Sequence, residues 1–556
     1  MPKMTGGKFI AEFLKASKVK AVFFVPTILS RPLAEMDDMP IKRVLAHSEK
    51  AAAYMADGYA RVSGTPGICG GQAVGAANLA SGLRDALMGN SPVIAFSGGR
   101  KSSEKHKGAY QENNDLPIFE VLTKANFQVD TVDRLPDLMR QAFREATSGN
   151  PGPVNLQLAG NNGQIEDDFG DLDVITEEQF QKVPSYRICP EEKYIDNALN
   201  VIQKSKKPVI ILGGGARISE AGPEAIDLSK RLSIPIATSV AAYNLVPEDY
   251  PLYFGVPGSY SRSCTNKIIM ESDLIIYVGS STGGQVTHFW NVPAPGTKVI
   301  QIGIDPSDLG RNYPNEVSIL GDAKVTLEMF LKKIDNNLSH DEWVKTVQSH
   351  VHDWRNEVDA NRNSNVSPIR PERLMKELSE AIPDDSIVVS DTGHTAMWTV
   401  QQLWMSKKWD FIRCAGSLGW GFPAAIGAKC ALPKKQVFCL TGDGGLYYHF
   451  TELETAVRCN IPTITIVNNN NALNQEYDIF MNAYDGKPSN KWGDMWHFNK
   501  ISFAELANNM GAFGIRVTDP AEIKNAIKLA IKSNKPSIIE IDGDVNALAP
   551  TAWTKN

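Results

Sequence analysis

In Val437-Phe-Cys-Leu-Thr-Gly-Asp-Gly-Gly445 an apolar run breaks off at a Gly-Asp-Gly turn. In Thr463-Ile-Thr-Ile-Val-Asn-Asn-Asn-Asn471 a second, β-branched run breaks off at four asparagines. Runs of four or five such residues bounded by turn formers read as strands buried on both faces. Between them, Phe450, Leu453 and Val457 fall on one face of a predicted helix. Strand, turn, helix, strand is a βαβ unit. Its right-handed crossover makes the strands parallel and brings both turns to the carboxyl edge, where ligands of open α/β sheets bind.

The same rhythm extends outward in both directions. Val22–Val25, Val93–Phe96, Val154–Leu158, Pro208–Leu212, Leu274–Val278, Val299–Ile304, Ile387–Ser390 and Ile538–Ile541 are further short apolar runs alternating with helical patterns. This alternation predicts an α/β protein of doubly wound parallel sheets. Two stretches interrupt it: an acidic one near residues 163–190, and a polar one near 335–370 that ends at two prolines. Taken as connections, they leave three domains, at 1–165, 190–335 and 370–548, a count that suits 556 residues.

Composition narrows the function classes. A net charge of −6 over 556 residues provides no basic surface for nucleic acid or anionic membrane. No apolar stretch approaches the length of a membrane span, and the N-terminus reads as an amphipathic helix rather than a signal peptide. The seven cysteines are odd in number and form no CxxC pair, so they predict reduced thiols of a cytoplasmic protein without a zinc site.

At the carboxyl edge, Asp443 and Asn470 meet from neighbouring strands. One carboxylate, one amide oxygen, a backbone carbonyl and two diphosphate oxygens suit octahedral Mg²⁺, which binds through few protein ligands plus phosphate. Gly444 and Gly445 let the backbone approach an anion, and the helix that follows adds N–H donors. A Gly-Asp-Gly alone is usually only a turn; the Asn run after a second strand changes its meaning. Together they resemble the signature of thiamine-diphosphate enzymes, a Gly-Asp-Gly followed by Asn-Asn. Matching Pro462 to the proline common in that family makes Asn470 the metal ligand and Ala472 the carbonyl donor, within a one-residue ambiguity left by the four asparagines. Leu473 and Asn474 would extend the cofactor contact.

Leu45-Ala-His-Ser-Glu-Lys-Ala-Ala-Ala-Tyr-Met-Ala-Asp-Gly-Tyr-Ala-Arg61 places Glu49 at the start of an Ala-rich helix. By itself that is ordinary helix-dipole complementarity. The segment also resembles the catalytic-glutamate region of the acetohydroxyacid (acetolactate) synthase and pyruvate oxidase branch, although here Ser48 precedes the glutamate and His47 stands one step further back. The resemblance implies that Glu49 bonds the aminopyrimidine and promotes loss of the thiazolium C2 proton. It also implies active sites built between the subunits of a homodimer or homotetramer. Further matches are Gly75-Ala-Ala-Asn78, Ala109-Tyr-Gln-Glu112, Asp391-Thr-Gly-His-Thr395 and Gly416-Ser-Leu-Gly419. They imply cofactor contacts at Asn78, Gly393, His394, Thr395 and Gly416. They also imply an apolar wedge at Leu418 and a polar pocket group at Gln111.

Some positions depart from the branch. Phe24-Val-Pro-Thr-Ile-Leu29 puts Ile28 where simple 2-oxo-acid decarboxylases carry an acid, and Ile28 is expected to narrow the pocket beside the thiazolium. Leu473-Asn-Gln-Glu-Tyr477 replaces an apolar stretch, and with His47 it is expected to make the pocket unusually polar. The central segment carries Gly213-Gly-Gly215, Gly279-Ser-Ser-Thr-Gly-Gly284, Ile304-Asp305 and Gly321-Asp322. It resembles the family's nucleotide-binding domain, for FAD or ADP, but Ser280–Gln285 lacks the Arg and paired acids of the usual flavin strand.

The leading expectation is an acetolactate synthase-like carboligase acting on small carbonyl substrates, with weak or absent acetolactate formation from pyruvate alone, because Ile28 crowds the donor side while Gln111 and the Asn474–Glu476 segment offer polar groups that handle protons or bind an acceptor. The alternative is a C–C hydrolase or lyase of a 1,2-dicarbonyl or 2-hydroxyacyl substrate, similar to cyclohexane-1,2-dione hydrolase. A non-catalytic scaffold is the third reading, and it would need none of Glu49, Asp443 and Asn470.

Overall fold

The computed structural model describes residues 3–160, 164–334, 339–405 and 408–554. It contains three parallel sheets. The first comprises β2 (Ala21–Phe24), β3 (Lys42–Leu45), β4 (Gly67–Gly71), β5 (Val93–Gly98), β6 (Ala125–Val129) and β7 (Val154–Leu158), ordered β3-β2-β4-β5-β7-β6. A short antiparallel ribbon of β1 (Lys3–Thr5) and β8 (Phe169–Asp171) lies apart from it. The central sheet comprises β9 (Pro208–Leu212), β10 (Ile236–Thr238), β11 (Leu274–Val278), β12 (Lys298–Gly303) and β13 (Val317–Leu320), ordered β10-β9-β11-β12-β13. The third comprises β14 (Ile387–Ser390), β15 (Asp410–Arg413), β16 (Val437–Gly442), β17 (Ile464–Asn469), β18 (Phe513–Val517) and β19 (Ser537–Asp542), ordered β15-β14-β16-β17-β19-β18.

The first and third sheets thus share one strand order. Each has a switch point where the chain reverses direction across the sheet: between β2 and β4, between β9 and β11, and between β14 and β16. Such points leave a crevice at the carboxyl edge. Strands β5, β7, β9 and β11 are buried along their whole length, as strands covered by helices on both faces are, and in β7 this burial includes Asn155 and Gln157.

The first and third units dock through two helices, Glu49–Ser63 and Gly421–Ala431. Their backbones come so close that a Cβ on Gly58 would stand 2.1 Å from the Ala424 carbonyl oxygen, and one on Gly427 1.8 Å from that of Met55. Glycine and alanine on both faces therefore permit the contact, and it fixes how the two units sit.

Both expected connections are more ordered than their polarity suggested, leaving aside residues 163 and 335–338, which fall outside the described set. Glu166 is fully buried, and its carboxylate accepts the Leu29 N–H at 2.7 Å and the Arg31 N–H at 3.1 Å, holding the turn after β2. Residues Asp341–Arg362 form one long helix whose Trp343, Val347 and Trp354 are buried in a core cluster with Val209, Ile275 and Val299 of the central sheet. Trp343, Val347, Val351, Trp354 and Val358 recur at helical spacing along it, and Val351 and Val358 pack against the same cluster.

Candidate functional site

The carboxyl edge of the third sheet gathers most of the candidate residues. Asp443 is the first residue of a helix, Asp443–Tyr447, with Gly442 as its N-cap, and a separate helix covers Glu452–Arg458. The single helix expected after the turn is therefore broken at 448–451. Asp443 is buried; its Oδ1 accepts the Gly444 N–H at 2.8 Å and its Oδ2 the Ala472 N–H at 3.0 Å. Asn470 Oδ1 accepts the same Ala472 N–H at 3.2 Å, so the two side-chain oxygens converge on one point. Burial raises the Asp443 carboxyl to about 6, because its N–H donors only partly replace lost water. A cation there would reverse that cost. Among the described residues no group of three or more His, Cys, Asp and Glu could hold a metal by itself.

The asparagine ambiguity has a structural answer in the neighbouring side chains. Asn469 is turned inward, its Nδ2 donating to Glu540 Oε1 at 2.9 Å, and Asn468 Oδ1 lies against Gly543. Asn470 Oδ1 shares the Ala472 N–H with Asp443, while Asn471 meets that carboxylate through its backbone N–H.

The same edge carries the turn at Gly393. Gly393, at φ +73°, caps the helix His394–Gln402, and His394 Nδ1 is buried without a hydrogen-bond partner. Burial pushes the His394 imidazole down to about 4, despite nearby Asp478. Thr395 faces Gly442, and Leu473 presses on Gly444 so closely that a Cβ there would sit 2.5 Å from its Cδ2. Asn474 is buried and turned away, its Nδ2 reaching the Ala547 carbonyl at 3.4 Å. An orphaned ring nitrogen and tight glycines beside a buried carboxylate are what a diphosphate with its metal would fill.

Leu418, partly exposed, sits in the turn after β15. Gly419, next to it, has φ +85°, and its N–H donates to Asp391 Oδ1 at 3.1 Å. Asp391 also accepts from Thr392, Gly421 and Thr441, and burial raises its carboxyl to about 6. Gly416 is exposed.

At the edge of the first sheet, Glu49 begins its helix just after Ser48, whose Oγ accepts the Ala51 N–H at 3.1 Å. The Glu49 carboxylate is buried, and Asn78 Nδ2 donates to its Oε2 at 3.2 Å. Gly71 and Gly75 make room for it: a Cβ on Gly75 would stand 2.1 Å from Glu49 Oε1. Gln111, at φ +59°, belongs to the loop of residues 99–115 beyond β5.

Two expected pocket residues are elsewhere. Ile28 is fully buried in the core cluster with Phe9, Val22, Leu33 and Phe96. The Glu166 clamp on Leu29 and Arg31 turns it inward, so it narrows no open pocket in this chain. His47 points away from Glu49, its Nε2 lying 2.9 Å from Glu454 Oε2 while its N–H donates to Glu452. It therefore ties the first unit to the helix Glu452–Arg458.

The glycine-rich turns of the central unit converge on one cavity of about 470 Å³ at the β9/β11 switch point. Gly213, Gly279, Gly284, Asp305 and Asp322 line it, with Arg61 and Arg413 from the other two units. Asp305 is held by Ser307 and Asn150, and Asp322 by Ser219 and Arg187. Gln285 accepts from Arg413 at 3.0 Å. No helix among the described residues is long and apolar enough to cross a membrane.

Sequence reading missed Asp85, fully buried in the helix Ala76–Met88, which reaches the turn bearing Leu418. A single Asp among LRDALMGN carries no signal of a contact more than 300 positions away.

Comparison with known proteins adds three matches along the chain. Residues 4–118 match the N-terminal TPP binding domain of thiamine pyrophosphate enzymes, residues 195–330 their central domain, and residues 391–541 their C-terminal TPP binding domain. A protein of Methanocaldococcus jannaschii described as a probable acetolactate synthase large subunit is 32% identical over 97% of this chain and 92% of its own length. One of Methanococcus aeolicus with the same description is 31% identical over the same shares. The acetolactate synthase isozyme 2 large subunit of Escherichia coli is 29% identical over 97% of this chain and 96% of its own.

Proposed function

The chain belongs to the thiamine pyrophosphate enzyme family, and from that premise we propose that it is an acetolactate synthase-like carboligase acting on 2-oxo acids. The observation that carries the reading is the convergence of Asp443 Oδ2 and Asn470 Oδ1 on the Ala472 amide beside the Gly393–Thr395 turn. These two oxygens, the Ala472 carbonyl and two diphosphate oxygens suit Mg²⁺.

When bound, thiamine diphosphate supplies an acidic C2–H and an electron sink next to a carbonyl carbon. Glu49, oriented by Asn78, would hold a proton at the aminopyrimidine N1′. Leu418 would support the cofactor's bend, and Gly393, His394, Thr395 and Gly416 would line its path with Gly444, Gly445 and Leu473; Asn474, engaged by the Ala547 carbonyl, would not reach it. Gln111 offers a polar group to the substrate.

Two copies share each site in this reading. Val74 beside Gly75 and Tyr448 beyond Gly445 are exposed large hydrophobics at the rims of the two half-sites. Such residues suit surfaces covered by a partner. The central cavity takes a nucleotide such as ADP rather than FAD, since Ser280–Gln285, which lines it, lacks the Arg and paired acids of the usual flavin strand. Chromatography of the small molecules released on denaturation tests that: near-stoichiometric FAD refutes it. The function itself is tested by product analysis with pyruvate, Mg²⁺ and thiamine diphosphate, and a chain that binds the cofactor without consuming any 2-oxo acid would refute it.

A further inference from the structure

Asp85 belongs to the first unit, yet its carboxylate is spent on the third. Its Oδ1 accepts the Ala415 N–H at 2.8 Å, and its Oδ2 accepts the N–H groups of Gly416 at 3.2 Å and Ser417 at 3.0 Å. Three successive amides converging on one carboxylate form an anion nest, and here a buried side chain of another domain fills it. Arg61 compensates the charge: its Nη2 donates to both Asp85 Oδ1 and Asp57 Oδ2 at 2.8 Å, and its Nε donates to Asp57 Oδ1 at 2.7 Å. Trp420 Nε1 donates to Asp57 Oδ2 at 2.8 Å, and the Arg61 guanidinium lies 4.8 Å over the Trp420 ring.

Leu418 follows this nest directly, and on its other side Gly419 is held by Asp391 at 3.1 Å. The residue is thus flanked by two buried carboxylates, Asp85 from the first unit and Asp391 from the third. Packing does little to hold the first of these segments: Gly416 is exposed, and a Cβ on it would meet nothing within 4 Å. Hydrogen bonds to Asp85 are what fix its height.

We propose that Asp85 is a positioning residue that sets where Leu418 stands beneath the thiazolium and pyrimidine rings, making the cofactor's bend depend on the docking of the first unit onto the third. The proposal rests on the reading of Leu418 as the wedge. A side chain that must keep two rings at a reactive angle tolerates little displacement, and misplacements of about 1 Å cost up to about 10²-fold in rate. Without Asp85 the three amides of 415–417 lose their acceptor, and the Trp420 N–H on the Ser417 carbonyl at 3.2 Å is the backbone tie that stays on that side.

The test uses the full-length chain in four variants: D85N, D85E, L418A and D85N/L418A. Amide hydrogen exchange of residues 415–417 is measured without cofactor, and C2–H exchange and thiamine-diphosphate affinity with it. D85N is expected to deprotect amides 415–417 and to slow C2–H exchange about 10–10²-fold, with affinity near wild type because the Asp443 turn is untouched. D85E keeps the charge paired to Arg61 but moves the carboxylate, and carries the test if D85N does not fold. The double variant is expected to be no slower than the slower single, as for two residues acting on one element. E248Q, which breaks a buried pair with Arg262 elsewhere, is the destabilised control and should exchange C2–H at the wild-type rate. Deprotected amides with wild-type C2–H exchange in D85N, or additive slowing in the double variant, overturns the proposal. L418A at the wild-type rate instead overturns the wedge reading, and the proposal with it.

Discussion

The Ala472 amide donates to Asp443 Oδ2 at 3.0 Å and so ties the loop after β17 to the turn after β16. That N–H marks where a cation's ligands gather. Asp443→Ala should remove the carboxylate and leave diphosphate facing the turn without its metal. Calorimetry is expected to show Mg²⁺-dependent thiamine-diphosphate affinity falling well beyond the 10–100-fold typical of outer-shell changes. Unchanged affinity would place the metal elsewhere.

Glu49→Gln keeps the shape and the Asn78 contact but cannot share a proton in the same way. C2–H exchange, followed by NMR after acid quench, should slow by roughly 10²–10⁴-fold while cofactor binding weakens little. Gly75→Ala should act on the same carboxylate indirectly, since its Cβ would stand 2.1 Å from Glu49 Oε1. Slowed exchange in both variants is the expected pattern, and wild-type exchange in Glu49→Gln would remove Glu49 from the chemistry.

Mixing those defects tests the shared site. Glu49→Gln and Asp443→Ala chains are each expected to be inactive alone. Co-expressed, half of randomly paired dimers would be mixed, and one of their two sites would be intact, restoring roughly a quarter of wild-type activity. A site completed within one chain predicts no recovery.

What could be read from the residues, and what could not, divides along physical lines. The strand ends at Asp443 and Asn470 were legible because apolar runs and turn chemistry are local signals. Glu49 was legible through the length of its motif. Ile28 was misread as a pocket wall because its direction depends on Glu166, 138 positions away, holding the adjacent backbone. His47 was misread for the same reason: Glu452 and Glu454 lie on the other side of a domain interface. The nest at Asp85 exists only once the helices around Gly58 and Gly427 are docked.

His449 gives a pH prediction. It is buried against Tyr54 with its Nε2 unpartnered, and burial, aided by nearby Lys50, pushes the imidazole down to about 4. Between that value and the usual 6.5 the unfolded chain binds more protons than the folded one, so stability is full above about pH 6.5 and is lost as pH falls toward 4. At about pH 5 the loss is on the order of 2 kcal/mol. His394 adds a term of the same sign. In denaturant unfolding of the cofactor-free chain, His449→Phe should narrow the difference between about pH 7 and about pH 5 by that order of magnitude. An unchanged difference would show that His449 is solvated in the folded state.

The final prediction concerns what the enzyme does with pyruvate. A restriction on pyruvate followed from an Ile28 side chain crowding the donor side of the thiazolium. With Ile28 fully buried among Phe9, Val22 and Leu33, that crowding is absent. The fate of the first adduct then depends on whether a second carbonyl or a proton reaches it, and a ligase must orient the acceptor and exclude water. Gln475 reaches the cofactor turn, its Oε1 lying 3.1 Å from where a Cβ on Gly393 would be. The expectation is therefore net condensation: with Mg²⁺ and thiamine diphosphate, pyruvate should yield acetolactate, assayed as acetoin after acid treatment, at the roughly 1–10³ s⁻¹ of a committed enzyme. If pyruvate is left untouched while a cyclic 1,2-dicarbonyl is opened by water, cleavage replaces ligation as the reaction of this site.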